Sequence, residues 1–169
     1  MKRVFQVLGV LVLLGVVYLA INGRNMQTVK TEIDIEAPPE KVWGIITDIG
    51  KWQEWSPTIN GSEGEAAVGT TLTITMMGKE SDKDGPKYNP KIIRMDKPTY
   101  FHWQAHMMAG FIFTNDKIIE LEATLIGTKV THTETFKGLM AALMRGQIDK
   151  GVPPMLNMMN EALKNTAEQ

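Results

Sequence analysis

The 169 residues include no cysteine, which excludes disulfides, zinc–thiolate sites and thiol catalysis. Net charge is nearly absent too: the formal value of −1 offers no long-range attraction for nucleic acid. The common catalytic signatures are missing. Ser56, Ser62 and Ser81 lie in no G-x-S-x-G context, so a nucleophile elbow is unsupported. There is no phosphate-binding glycine loop and no dinucleotide fingerprint, and no cofactor is expected. His102 and His106 stand four apart, but residues 100–105 read as a strand, in which four residues span about 13 Å. No shared metal is expected from them. Internal repeats and long low-complexity tracts are absent as well, and the length suits one domain able to bury a core.

What the chain does have is one long apolar run at its start. Residues 4–21 carry no charge, and Gln6 alone is clearly polar. As a helix they would reach about 27 Å, nearly the hydrocarbon thickness of a bilayer. A cleaved signal peptide would need small residues at −3 and −1; a cut after Ala20 puts Tyr18 at −3, and one after Gly23 puts Ile21 there. A buried core helix is disfavoured because the run has no polar face for solvent. The expectation is an uncleaved single-pass anchor over residues 1–24, a linker over 25–28 and a ligand-binding domain over 29–169. Lys2 and Arg3 precede the run, so the positive-inside rule places the domain outside the cytoplasm, with the cytoplasmic side as the alternative.

The domain opens with clean alternation over residues 28–36: Val29, Ile33 and Ile35 on one face, Lys30, Glu32, Asp34 and Glu36 on the other. This is a half-buried strand. Pro38 and Pro39 stop it, and Pro39 suits the first turn of a helix, where its missing N–H would have had no partner. Val42, Trp43, Ile45 and Ile46 form the apolar face of that helix, which ends at Asp48-Ile49-Gly50. Trp52 and Trp55 then share one side of a second short turn. Asn60-Gly61 signals a turn. Further strands are expected over residues 70–77, 90–95, 100–105, 115–123 and 128–136, with 78–86 as a long exposed hairpin loop. Residues 106–113 are almost wholly apolar, unusual for a loop, and read either as strand ends around a turn or as an apolar lip at a cavity mouth. Beyond Gly138 the period is helical, and Pro153-Pro154 should divide it into helices near 139–150 and 154–166. Met155, Leu156, Met159, Ala162 and Leu163 form the inward stripe.

These blocks carry a family resemblance. Ile35, Ala37, Pro38, Glu40, Val42, Trp43, Asp48, Trp52, Trp55 and Pro57 match the opening of the SRPBCC superfamily, the helix-grip domains related to START lipid-transfer proteins and polyketide cyclases. Gly127-Thr128, Thr133-Glu134-Thr135-Phe136 and Gly138-Leu139 resemble its later strand, and residues 159–164 its final helix. The resemblance covers residues 29–164. It implies an α+β helix-grip fold: a curved antiparallel sheet of about six or seven strands wrapped around a long C-terminal helix, here with an N-terminal transmembrane helix. It also implies a cavity between sheet and helix.

Alternation and helical period then select the residues facing that cavity: Met76, Phe101, Trp103, Ile119, Leu121, His132 and Glu134 from strands, Met155 and Met159 from the last helix. Trp55, Met107, Phe111, Met140 and Met144 join them as further ligand-binding candidates. Methionine suits a surface that fits variable apolar ligands, and equally suits plain core filling. The expected function is membrane-anchored binding of a hydrophobic small molecule or lipid. The alternative is a cyclase-, aromatase- or hydratase-like enzyme in the same cavity, with Glu134, His132 or His102 as acid or base.

Overall fold

The computed structural model describes residues 2–22, 26–78, 83–107 and 109–169, apart from the side chains of residues 2, 3, 8, 11 and 18–22. Residues 23–25 of the expected linker, 79–82 of the expected hairpin loop and Met108 of the apolar segment lie outside the described residues. Helix α1 (Lys2–Asn22) is followed by strand β1 (Gln27–Ile35). Among the described residues no helix is long and apolar enough to cross a membrane, so the expected transmembrane helix is not borne out. The described side chains of α1 are nonetheless exposed all round, Phe5 at 71% and Leu13 at 62%.

Helix α2 (Pro39–Thr47) begins with proline at its first turn and Glu40 at the positive end of its dipole. It buries Val42, Trp43 and Ile46 and ends at Asp48. A 3₁₀ turn (Ile49–Lys51) leads into α3 (Trp52–Trp55). Trp52 is buried there, and its indole Nε1 donates to the Ile46 carbonyl at 2.9 Å, fixing α3 against α2.

Strands β2 (Ile59–Glu63), β3 (Thr73–Met77) and β4 (Asp84–Tyr88) form one antiparallel sheet in the order β2-β3-β4. Strands β5 (Lys91–Asp96), β6 (Tyr100–Met107), β7 (Phe113–Ala123) and β8 (Thr128–Lys137) join β1 in a second, ordered β1-β8-β7-β6-β5. A bridge between Thr71 and Lys91, with the Ile92 amide donating to the Thr70 carbonyl at 2.9 Å, ties the two sheets together. Eight strands among the described residues replace the expected six or seven. The extra pair arises where turn signals misled: Asn60 and Gly61 lie in β2 at an irregularity of its register with β3, and Pro86 sits in β4 at a sheet edge, where its missing donor breaks no ladder.

The C-terminal region also departs from expectation. Helix α4 (Leu139–Leu143) stops at Met144, and α5 (Arg145–Ala167) runs through Pro153 and Pro154 without interruption. The two carbonyls that lose helical donors belong to Asp149 and Lys150, both exposed to solvent that can serve them. Helix α5 packs on β1, β8 and α2, which completes the grip of sheet on helix.

Two glycines explain the motifs that carry them. Gly127 has φ +153°, and a Cβ there would lie 2.1 Å from the Ile35 carbonyl oxygen; next to it, the Thr128 hydroxyl donates to the Ala37 carbonyl at 2.6 Å. The pair locks the start of β8 to the entry of α2. Gly138, at φ +103°, lets the backbone pass the Ile112 carbonyl, 2.5 Å from where a Cβ would stand.

Candidate functional site

The interior has two parts. In one, Trp43, Trp52, Phe101 and Trp103 pack as a continuous aromatic pile, with Trp52 and Trp103 ring centres 5.3 Å apart. In the other, a smaller cluster of Val29, Phe136, Ala141, Ile148 and Leu156 is closed by α4 and α5. A cavity of about 230 Å³ lies against members of both clusters, with apolar walls that include Ile59, Phe113, Phe136, Met155 and Met159. Pro86, Lys87, His106 and Met107 also line it, and all four are exposed to solvent at its mouth.

Its polar floor is built by adjacent strands. Lys117 of β7 and Glu134 of β8 are direct cross-strand partners, both buried, with Nζ and Oε1 3.0 Å apart. Asn115 Nδ2 donates to the other Glu134 oxygen at 3.3 Å. The Lys117 ammonium also contacts Met159 Sδ at 3.6 Å and stands 5.5 Å from the centre of the Trp103 ring. Tyr88 of β4 completes the polar lining. Burial, and then the field of Glu134, push its phenol well above the usual range, so it remains protonated.

His132 belongs to a different arrangement. Its Nδ1 lies 3.2 Å from Asn160 Oδ1, and Asn160 Nδ2 donates to Thr31 Oγ1 at 3.0 Å. With the Asn160 amide oxygen facing it, Nδ1 carries the proton and Nε2 is an acceptor. Burial, and then Lys117, hold His132 well below the ordinary imidazole range, so it is neutral. Its Nε2 and Trp55 Nε1 are buried without partners among the described residues, and both residues line a second cavity of about 20 Å³, room for a single water.

Of the residues selected from sequence, Met76, Met107, Glu134, Met155 and Met159 line the large cavity. Trp55, Ile119, His132 and again Met159 line the small one. Phe101 and Trp103 face inward as their alternation requires but are packed into the solid aromatic part, and Leu121 is buried in the same core. Phe111 is 76% exposed on the segment between β6 and β7, Met144 is exposed between α4 and α5, and Met140 is half-buried in α4. His102 is corrected outright as an acid or base in the cavity. It sits on the opposite sheet face from Phe101 and Trp103, with Nε2 2.9 Å from Asp116 Oδ1. His106 bonds instead to Thr114 Oγ1 at 2.9 Å.

Lys117, Asn115 and Tyr88 were missed. The signal for the first two was available: the phase that turns Ile119 and Leu121 inward, extended two and four residues back along β7, also turns Lys117 and Asn115 inward. Tyr88 has none, because the first part of β4 carries the turn signals of the expected 78–86 loop and no strand signal follows before residue 90.

Comparison with known proteins agrees with this fold. No curated protein sequence matches the chain. Among solved structures, the di-domain ARO/CYC BexL from the BE-7585A biosynthetic pathway aligns with a TM-score of 0.70 at 14% identity, over 90% of this chain and 53% of BexL. The chain thus spans about half the length of such di-domain proteins. The Zhui aromatase/cyclase from Streptomyces sp. R1128 aligns with a TM-score of 0.68 at 14% identity, over 85% of this chain and 94% of that one. Ara h 8.0201 aligns with a TM-score of 0.66 at 19% identity, over 85% and 98%. At these identities the likeness establishes the fold. The sequence family described as polyketide cyclase / dehydrase and lipid transport matches residues 26–168, nearly the whole domain, and the chain therefore belongs to that family.

Proposed function

We propose that the protein binds a hydrophobic small molecule or lipid in the cavity between sheet and α5, and is held at a membrane by its N-terminal segment. The observation that carries the binding reading is the 230 Å³ cavity, mainly apolar inside, with one buried ion pair on its floor and polar side chains at its mouth. An engineered apolar cavity of about 150 Å³ takes up benzene, so this one has room for a larger guest. A buried methylene contributes about 0.8 kcal/mol, so a ten-carbon chain supplies roughly 8 kcal/mol before association and ordering costs.

Membrane attachment rests on the uncharged run of residues 4–21 and on the exposure of its described apolar side chains. Strand register adds a spatial argument. Gln27, the first residue of β1, pairs with Phe136, at the end of the sheet where Met107 pairs with Phe113. The chain therefore enters the domain at the cavity end, which would bring the mouth close to the membrane. Lys2 and Arg3 ahead of the run favour an extracytoplasmic domain.

A second reading, acid–base chemistry on a bound molecule, draws support from Tyr88, Lys117 and Glu134 lining one cavity. Native mass spectrometry of the full-length chain released from membranes separates the possibilities. One retained apolar molecule per chain, lost in Met155→Trp, supports binding; a chain carrying only its own mass in both forms contradicts it. Vesicle flotation tests attachment: full-length protein should float with the vesicles, and protein left at the bottom of the gradient would remove attachment from the account.

A further inference from the structure

The charge balance of the cavity floor narrows the ligand, provided that the cavity is a binding site as proposed above. The Lys117 ammonium is held by one strong partner and two weaker ones among the described residues. Glu134 Oε1 lies at 3.0 Å, Met159 Sδ at 3.6 Å and the centre of the Trp103 ring at 5.5 Å. Glu134 differs. An ionised carboxylate offers about four acceptor positions, and here Lys117 and one long bond from Asn115 are its only partners among the described residues. Tyr88, on the facing strand β4, makes no hydrogen bond to a described residue and keeps its proton. The floor therefore presents free acceptor capacity on Glu134, a free hydroxyl on Tyr88, and no net charge.

We propose that the cavity selects a neutral, hydroxyl-bearing apolar molecule over a carboxylate or an amine of the same shape. A hydroxyl can donate to Glu134 and accept from Tyr88. A carboxylate would be placed beside Glu134 in a poorly solvated space and would have to share the one ammonium that balances it. An ammonium could reach the open acceptor positions of Glu134, but it would stand beside the Lys117 ammonium in the same poorly solvated space, on a floor whose charge is already balanced. The groups facing the pair from the other elements do not shift this balance. They are Tyr88 on β4, Trp103 on β6 and Met159 on α5, with Asn115, His132 and Phe136 on the pair's own strands, and His132 is neutral. Lys87 and His106 stand at the solvent-exposed mouth, where charge is screened.

The test is a titration series of fused two-ring compounds against the full-length chain at neutral pH: naphthalene, 2-naphthol, 2-naphthoate and 2-naphthylmethylamine, with full-length Met155→Trp as the blank. The expected result is 2-naphthol tightest, by about tenfold over naphthalene, with both ions weaker than naphthalene. Naphthoate or the amine binding tightest would overturn the selectivity while leaving the cavity reading intact; no binding by any of the four would overturn both. Glu134→Gln supplies the independent arm. It leaves Lys117 without its counter-charge, so naphthoate should gain at least about tenfold relative to naphthol. An unchanged order in that variant would contradict the proposal, and the wild-type series decides the matter if the variant does not fold.

Discussion

The two parts of the interior are built on the same strands and by the same alternation, yet one is solid and the other hollow. Residues Phe101, Trp103 and Ile119 meet α2 and α3, whose own Trp43 and Trp52 fill the space with rigid rings. A few residues further along β6, β7 and β8, the inward positions become Ala105, Asn115, Lys117 and Glu134, opposite Met155 and Met159. Small, polar and flexible side chains stand there among Tyr88, Phe113 and Phe136, and a cavity of about 230 Å³ results. Stability is thus concentrated in the aromatic part, and ligand capacity in the part that gives up close packing.

Substitution should break this contrast in a graded way. Trp103→Ala is expected to cost about 3–5 kcal/mol in chemical denaturation, because a fully buried ring is removed from four-sided packing. Met155→Ala, half-buried beside an existing cavity, should cost about 1 kcal/mol. Equal costs would erase the distinction between the two parts.

Next in size is the ion pair. Lys117→Met leaves Glu134 buried without its partner and should destabilise by about 3 kcal/mol. The double change Lys117→Met with Glu134→Leu should recover most of that loss, since apolar groups of similar volume replace the pair. Failure of the double variant to recover would show that the pair organises the strands themselves. It would then be more than the polar floor of a cavity.

A smaller effect is expected from His132. Its folded-state pKa lies well below that of the unfolded chain, so its contribution is complete above about pH 6.5 and is lost as the pH falls below that value. The wild-type chain should lose at most about 1.4 kcal/mol per pH unit there relative to His132→Gln. Parallel pH profiles for the two proteins would mean that His132 titrates normally. The smallest effect belongs to Leu125, fully exposed in the turn between β7 and β8 at the end of the sheet away from the cavity. Leu125→Ser should change stability by no more than about 0.5 kcal/mol and leave ligand binding untouched.

The solid part was far more legible in the sequence than the hollow one. Trp43, Trp52 and Pro39 announce α2 and α3 because their spacing satisfies helical geometry with strictly local information. The inward placement of Phe101 and Trp103 follows from period-two alternation. The cavity floor obeys the same alternation, but a lysine at an inward position contradicts the residue-type expectation and was passed over. Strand β4, with Asp84, Gly85 and Pro86, reads as a loop because its strand character comes from pairing with β3, which no local signal encodes. The proline pair in α5 misled for a related reason. Local propensity argued for a break, and packing against β1, β8 and α2 maintained the helix.

Photolabelling tests most directly whether the hollow part is the ligand site. Full-length protein would be irradiated with a neutral alkanol carrying a diazirine at the end of its chain, with and without excess 2-naphthol, and the labelled peptides identified by mass spectrometry. The account predicts label that 2-naphthol displaces, on peptides containing Met76, Tyr88, Phe113 or Met155. Displaceable label confined to the turn at Leu125, or label that 2-naphthol does not displace anywhere, would contradict it.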